Sequence, residues 1–583
     1  MKIDGESMLG DALCLGSIAV FAIGLLVLCV RLKELQIDSV AELRYAGERQ
    51  TERRVRTAGA RGRILDRRGT ALAENRQSLS IAVDPAFFRR RTWEKTAAAI
   101  LAAVAEVGEV IGCEPALTEE AVRRHLKIEL SRPLTVWRDI SPDVRDVFCE
   151  HLRTLPGFLL IESHERIYPR GQLAAHLLGY VGRDRGESVA GDVKYSFSER
   201  ELCGRAGLEA YYDSYLRGVA GEMRLMVDAR GFTMKETTIE PPRRGPDLEL
   251  TLDAAIQSAA ERQLEDVTGA CVVIDPRDGA VLAAASSPAY DPNDLVPQLT
   301  AEMRDRYVIN RDYRNRFCGE TYAPGSTFKP VTALAALAAG VPAARVHDCE
   351  GVFRLGAMKL RCARTWGHGP ENLRTALRDS CNPYFCSLAM EIGSNAVIRA
   401  ALAMGLGEKT GLDFPLEARG VVPDDAWKRA HYGEKWYPGD LPQLAIGQGM
   451  LTATPLQMAV VAAALGTGYL VRPHLKRDIP PARRELPFSE TALEAVRVGM
   501  EMVVNDACGS GVKGGVDVPV RVAGKTGTAE VGIGERRRKN TWFIAYAPAD
   551  APEVAIAMVV ENGQSGGGTT APRVAEILKE VFR

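Results

Sequence analysis

Polar and apolar positions divide the chain into three stretches of different character. The first is Ala12 to Val30, ALCLGSIAVFAIGLLVLCV, which carries no charge. At about 1.5 Å per residue this run reaches roughly 28 Å, close to the ~30 Å core of a bilayer, and it predicts a membrane anchor. A cleaved signal peptide and a buried core helix are the alternatives. Asp4, Glu6 and Asp11 precede the run and no small-residue cleavage site precedes Arg31, Leu32, Lys33 and Glu34, which favours an uncleaved anchor. Charge leaves its orientation open, with Lys2 on one side and Arg31 and Lys33 on the other.

The second stretch begins polar and Arg-rich, from about Leu35 to Ala60. It continues with short β-like pieces at 62–66 and 79–83 and an Ala-rich helical pattern from Trp93 to Val110. Pro241-Pro242-Arg243-Arg244-Gly245-Pro246 then stops helix and strand alike and reads as a linker. In the third stretch, Leu248 to Leu252 alternates and Asp253 caps a helical pattern to Leu264. Strands are predicted at Gly269 to Asp275, Ala280 to Ala285, Thr541 to Tyr546 and Val554 to Val560, and a closing helix at Pro572 to Phe582. Valines at 516, 518, 520 and 522 predict a further strand from Val516 to Ala523, and Pro519 places it at an edge. Strands at both ends with an Ala/Leu-rich helical middle predict a sheet covered by helices.

The chain's 583 residues exceed one ordinary domain. Its 74 Lys+Arg against 75 Asp+Glu leave no positive excess for phosphates, so no nucleic-acid partner is expected. A 46% hydrophobic and 26% charged composition excludes a largely disordered chain, and the single long apolar run excludes a multi-span transporter. Twelve cysteines are too sparse for a disulfide scaffold.

Candidate chemistry concentrates in the third stretch. In Pro324-Gly325-Ser326-Thr327-Phe328-Lys329-Pro330 the chain breaks at Pro-Gly and Ser326 opens a helix. Ser326 and Lys329 then share a face one turn apart. A serine hydroxyl needs a base, and a desolvated lysine with a lowered pKa is one. The spacing alone is weak, because an N-cap serine beside a solvated lysine is common. Two further elements change the balance: Ser380-Cys381-Asn382 at the end of a helical segment, and Lys525-Thr526-Gly527-Thr528 after the valine run. Ser380 can relay a proton, and Asn382 can bond the lysine or a substrate amide. Lys525 supplies positive potential, Gly527 lets a substrate backbone lie close, and Thr526 and Thr528 can donate to a carboxylate. The amides of Ser326 and Thr528 are the expected oxyanion donors. The three parts in this order are those of penicillin-binding proteins and class A β-lactamases.

The sequence resembles the class B penicillin-binding proteins, the monofunctional D,D-transpeptidases of peptidoglycan synthesis, most closely the elongation type. Arg61-Gly62-Arg63-Ile64-Leu65-Asp66-Arg67-Arg68-Gly69 looks like the family motif just after the anchor. Arg166-Ile167-Tyr168-Pro169, His176 to Gly182 and Gly204 to Glu209 look like its pedestal. The resemblance implies a cytoplasmic tail at 1–11, an anchor at 12–30, an extended α+β pedestal of the dimerisation type at 31–245 and a transpeptidase domain at 246–583. The last is expected to be an α/β (α+β) penicillin-binding fold with a central antiparallel sheet. The family implies that Ser326 attacks a D-Ala-D-Ala stem peptide and passes the acyl group to a neighbouring peptide's amine. β-Lactams would acylate the same serine. It further implies an extracytoplasmic catalytic domain on the cytoplasmic (inner) membrane and a SEDS-type glycosyltransferase as polymerising partner. Division- or sporulation-type relatives share these motifs. A β-lactam hydrolase or sensor is the other reading, and neither a deacylating base nor a signalling domain is evident.

Cys349, Cys362, His368 and Cys381 form a second constellation. Three thiols and an imidazole are a closed tetrahedral zinc set, although these intervals match no finger signature. Some elongation-type members carry zinc in this segment, which would brace the loop holding Ser380 and Asn382. A Cys349–Cys362 disulfide competes in an oxidising compartment, and three unlinked thiols with a surface histidine remain the plainest alternative.

Overall fold

The computed structural model describes residues 5–39, 51–115, 117–128, 130–183, 195, 197–198, 202–230, 232–296, 303, 305, 307, 309, 313–532 and 538–583. A helix spans Gly5–Lys33 and runs into a π-helical turn at Glu34–Asp38. From Cys14 to Asp38 its side chains are exposed, including Leu15, Phe21 and Leu26. Among the described residues it is the one continuous helix long and apolar enough to cross a bilayer. Residues 1–4 of the predicted tail lie outside the described residues.

The segment predicted as a pedestal has two kinds of packing. Its outer part owns a core. The helix Trp93–Ile111 starts at Thr92, whose side chain accepts from Lys95 N. Ala97, Ile100, Val104, Val107 and Ile111 recur every three or four residues and pack on Val83, Trp137 and Phe158. Beneath that helix the strand Ala71–Val83 pairs antiparallel with both Leu134–Trp137 and Phe158–Ile167.

The inner part is fused to the C-terminal, catalytic half of the chain. Leu248–Glu249 pairs parallel with Ile64–Leu65, and Ile64, Leu72, Tyr168, Leu177 and Leu208 share one core with that half. The predicted linker is packed down: Gly245 N donates to Ala60 O, and a Cβ on Gly245 would sit 2.2 Å from Leu216 O. Three of the pedestal motifs meet in one buried charge cluster. Glu209 takes Arg61 Nε at 2.6 Å and Arg166 Nε at 2.7 Å, and Arg61 also pairs with Asp213 at 2.7 Å. Removing Glu209 would leave the buried Arg166 without its ion-pair partner and Arg61 with Asp213 alone, a loss on the order of 3–5 kcal/mol.

The catalytic half is built on a five-stranded sheet in the order Val281–Ser287, Gly269–Ile274, Val554–Val560, Arg538–Ala547, Ala523–Val531. All neighbours are antiparallel. Every residue of Val554–Val560 is buried, which explains its unbroken apolar sequence. Helices Ala254–Arg262 and Ala571–Val581 cover one face through Ile256, Ala260, Val574 and Ile577. The helix Pro455–Thr467 joins Ala555, Ala557 and Val559 in the core on the other.

One sequence expectation fails here. The alternating valines 516–522 are not a strand; Val516 is exposed, and only Val522 is buried. The strand starts at Ala523, so Lys525, Thr526 and Gly527 lie inside it. That strand lies at the edge of the sheet, but Pro519, from which an edge strand was expected, is outside it.

Candidate active site

The Pro324-Gly325 turn is clamped from two sides. Gly325 adopts φ +57° and donates its N–H to Gly447 O at 2.8 Å. Buried Trp542 donates Nε1–H to Ala323 O at 3.0 Å. From this turn a 3-10 segment, Gly325–Phe328, leads into the helix Lys329–Ala338. Ser326 stands half-buried at that helix start, and one turn on Lys329 is fully buried, its Nζ 5.6 Å from the centre of the Phe385 ring. Among the described residues Ser326 Oγ has no hydrogen-bond partner. Catalytic hydrogen bonds often tighten only when substrate arrives.

The second wall comes from the end of the helix Leu373–Arg378, whose start is a capping box of Asn372 and Thr375. Its chain leaves through Ser380 at φ +54°, with Cys381 N donating back to Ala376 O. A left-handed serine costs about 1–2 kcal/mol, and the conformation is held by what it makes possible. Lys329 Nζ donates to Ser380 O at 2.5 Å and to Asn382 Oδ1 at 2.7 Å. Ser380 Oγ lies 3.2 Å from Lys329 Nζ and 3.0 Å from Lys525 Nζ, so one hydroxyl bridges two amines. Asn382 Nδ2 is fixed in turn by Arg361 O at 2.8 Å.

Burial lowers the pKa of Lys329 to about 8, against a smaller upward pull from the nearby thiols, chiefly Cys381. Burial lowers Lys525 as well, and the charge of Lys329 lowers it further. Two desolvated amines bridged by one hydroxyl suit acid–base chemistry near neutral pH.

The third wall is the edge strand. Gly527 abuts the nucleophile turn: a Cβ there would meet Pro324 O at 2.8 Å and Thr327 Cγ2 at 2.9 Å. Thr528 O accepts from Gln448 Nε2 at 3.4 Å, and Thr528 Oγ1 accepts from Gly566 N at 3.3 Å. Thr526 Oγ1 lies 3.0 Å from Ser510 Oγ. Lys329, Ser380, Asn382 and Lys525 therefore form one connected cluster, with Ser326 one helical turn from Lys329. Ser510 was not anticipated. Its only trace in the sequence is the flanking pair Gly509 and Gly511, which marks a tight loop without saying what it touches.

Next to this cluster lie Cys349, Cys362, His368 and Cys381, each offering one ligand atom, all within 4.8 Å of one another. Tetrahedral ligands ~2.0–2.3 Å from an ion stand about 3.4–3.8 Å apart. Cys349 Sγ and Cys362 Sγ lie 3.7 and 3.4 Å from His368 Nδ1, as that geometry asks. A hydrogen bond from the Cys381 thiol, aided by the Asn382 N–H, pushes the Cys362 thiol below its ordinary pKa. All twelve cysteines are free in this structure. The donor set fits a closed four-coordinate ion. Cys381 is at once a member of that set and the residue between Ser380 and Asn382.

Two family models match the chain. A family model described as the penicillin binding protein transpeptidase domain matches residues 269–579, and one described as the penicillin-binding protein dimerisation domain matches 56–250. The peptidoglycan D,D-transpeptidase MrdA of Acinetobacter baumannii is 33% identical over 96% of this chain and 86% of its own length. Penicillin-binding protein PBP2 from Helicobacter pylori, solved in complex with MreC, superposes with a TM-score of 0.79 at 26% identity. That match covers 91% of this chain and 98% of the other. A chain solved in a peptidoglycan synthase complex that coordinates polymerization and crosslinking gives a TM-score of 0.74 at 29% identity, over 97% and 98% of the two chains.

Proposed function

The chain belongs to the penicillin-binding protein transpeptidase family, and from that premise we propose how its residues divide the work. The activity is that of an elongation-type peptidoglycan D,D-transpeptidase, a serine acyltransferase that needs no cofactor for its chemistry. Ser326 Oγ attacks the carbonyl of the D-Ala-D-Ala bond while Lys329 takes the hydroxyl proton. The developing oxyanion sits between the amides of Ser326 and Thr528. The proton passes through Ser380 to the departing D-alanine amine as the C–N bond breaks. Lys525, with the Thr526 and Thr528 hydroxyls, receives the substrate's terminal carboxylate, and Gly527, contrary to the expected room for a substrate backbone, lets the edge strand pack closely on the Ser326 turn. In the second half the amine of a neighbouring stem peptide attacks the ester. Its proton returns to Ser326 Oγ through Lys329 as the C–O bond breaks. The observation that carries this reading is the bridging hydroxyl of Ser380, 3.2 and 3.0 Å from the two lysine nitrogens.

Cys349, Cys362, His368 and Cys381 hold a structural zinc ion in this reading, supported by the buried three-thiol, one-imidazole donor set. When bound, zinc contributes coordination bonds that fix the Cys381 turn. The catalytic steps run through Ser326, the two lysines, Ser380 and Asn382. The domain division is 1–11 tail, 12–30 anchor, 31–245 pedestal and 246–583 transpeptidase domain. The exposed apolar helix supports a single-pass anchor in the cytoplasmic membrane, with the catalytic domain on the extracytoplasmic side where stem peptides lie. A SEDS-type glycosyltransferase is the polymerising partner. The relatives solved with MreC and in a synthase complex support assembly of this kind.

Labelled penicillin tests the nucleophile. It should acylate the full-length protein covalently, and Ser326→Ala should abolish the label. Undiminished labelling of that variant refutes the assignment.

A further inference from the structure

Beside the cleft a two-stranded hairpin, Val352–Leu355 and Met358–Arg361, carries an unusual outer face. Phe353 and Leu360 face each other across the strands and pack against the main core. The alternate positions therefore point outward, and there Arg354 stands directly opposite Lys359, with Arg361 one step on. Like charges placed opposite each other destabilise a strand pair. Arg354, Lys359, Arg361 and Arg364 are all exposed, and among the described residues none of them has an ion-pair partner. From Glu350 to Trp366 the chain carries these four cations against one anion, while the whole protein has a formal net charge of -1. The positive field is local and uncompensated.

The loop after the hairpin is rigid at its base. Cys362 N donates to Gly351 O at 2.8 Å, and Gly367 packs so closely on Cys349 O that a Cβ would lie 1.8 Å away. Between these fixed points Trp366 is 80% exposed. A large indole presented to water on a braced loop is a stacking surface for a sugar or peptide. Hairpin and catalytic wall are continuous, because Arg361 O receives the Asn382 amide.

We infer that this outer face, with Trp366, docks the acceptor strand: a carboxylate-bearing stem peptide on its glycan, whose amine attacks the acyl-enzyme. The inference rests on the transpeptidase reading above. The donor's terminal carboxylate belongs to the Lys525 strand on the other wall. The hairpin lies on the Ser380–Asn382 side, from which a second peptide reaches the ester without displacing the first. The cations match the acceptor's carboxylates and the indole matches its sugar face, which makes docking sensitive to salt.

The test uses full-length enzyme in detergent, with uncross-linked peptidoglycan strands as acceptor and penicillin acylation as an independent readout. The double variant Arg354→Gln/Lys359→Gln should raise the acceptor KM about five-fold or more. Its salt dependence should flatten, and acylation should stay within about two-fold of wild type. Trp366→Ala should raise the acceptor KM without changing the salt dependence. An unchanged acceptor KM overturns the inference. So does acylation that falls in step with cross-linking, because the hairpin would then only prop the nucleophile. Loss of binding to phosphatidylglycerol vesicles at unchanged acceptor KM overturns it in favour of a lipid surface. Failure of the underlying reading shows separately, as penicillin labelling that survives Ser326→Ala.

Discussion

Acylation of Ser326 by penicillin should rise with pH along the titration of Lys329. The lysine acts as base only when neutral, and burial sets its pKa at about 8. The neutral fraction is then ~10% at pH 7, ~50% at pH 8 and ~90% at pH 9. The second-order acylation constant, read by stopped flow with a fluorescent penicillin, should climb about five-fold from pH 7 to 8 and less than about two-fold from pH 8 to 9. The structure also predicts how to move the midpoint. Asn382 Oδ1 accepts from Lys329 Nζ at 2.7 Å and favours its charged form. Asn382→Ala removes an interaction worth on the order of 1–1.5 kcal/mol, so the midpoint should fall by about one unit. The maximal rate should fall too, because the lysine loses a positioning contact. A profile flat from pH 6.5 to 9.5, or a midpoint that moves upward in Asn382→Ala, refutes Lys329 as the base.

Three further outcomes are expected from the geometry. Purified protein should carry one zinc per chain. Cys362→Ser should lose it, lower Tm by about 5–10 °C and slow acylation, since Cys381 shares the site with the Ser380 turn; elemental analysis and calorimetry check this. Gly527→Ala should cut acylation ten-fold or more, because its Cβ would press on Pro324 O and Thr327 Cγ2 and spread the edge strand from the nucleophile turn; single-turnover labelling measures it. Glu261, which accepts from Ala174 N at 2.7 Å across the pedestal junction, has its pKa raised by burial from 4.5 to about 7. The folded state then binds more protons than the unfolded one between these values, so stability falls as pH rises from about 4.5 to 7, by roughly 3 kcal/mol. Glu261→Gln should flatten that slope in urea titrations at pH 4.5, 6 and 7.5.

The elements that depend on local rules were readable. Asp253 caps its helix as its side chain demands, accepting from Ala255 N and Ile256 N. The Gly269–Ile274 and Val554–Val560 strands arise from unbroken apolar runs that only a doubly covered sheet can bury. The valine run at 516–522 misled because alternation is necessary for a half-buried strand but not sufficient. Pro519 removes a donor, and Lys525 to Thr528, less apolar but paired with Thr541 to Ile544, became the strand instead. The packing across the pedestal junction is hidden from the sequence in another way. Composition changes at Pro241 to Pro246, yet the packing does not. Ile64 and Leu65 wait for Leu248 and Glu249, some 180 residues later, to complete a parallel pair that no local window reveals.

The site shows the same limit at finer grain. The order of three short motifs pointed to Ser326, Lys329, Ser380, Asn382 and Lys525, although the Ser326–Lys329 spacing alone is weak. It could not show that Ser380 is left-handed, and the chemistry depends on that backbone state. In that state the Ser380 carbonyl accepts from Lys329 Nζ, and the hydroxyl sits between the two amines. The strain has to be held by something on either side. On one side the helix end holds it, through Cys381 N to Ala376 O. On the other is the thiol–imidazole cluster, which begins at the next side chain. A metal held by these residues would do more than staple a loop: it would resist the relaxation that releases Ser380 from the left-handed region. On that argument, losing the ion should impair the proton relay before it unfolds the domain, and acylation should fall at temperatures where the calorimetric transition has not begun.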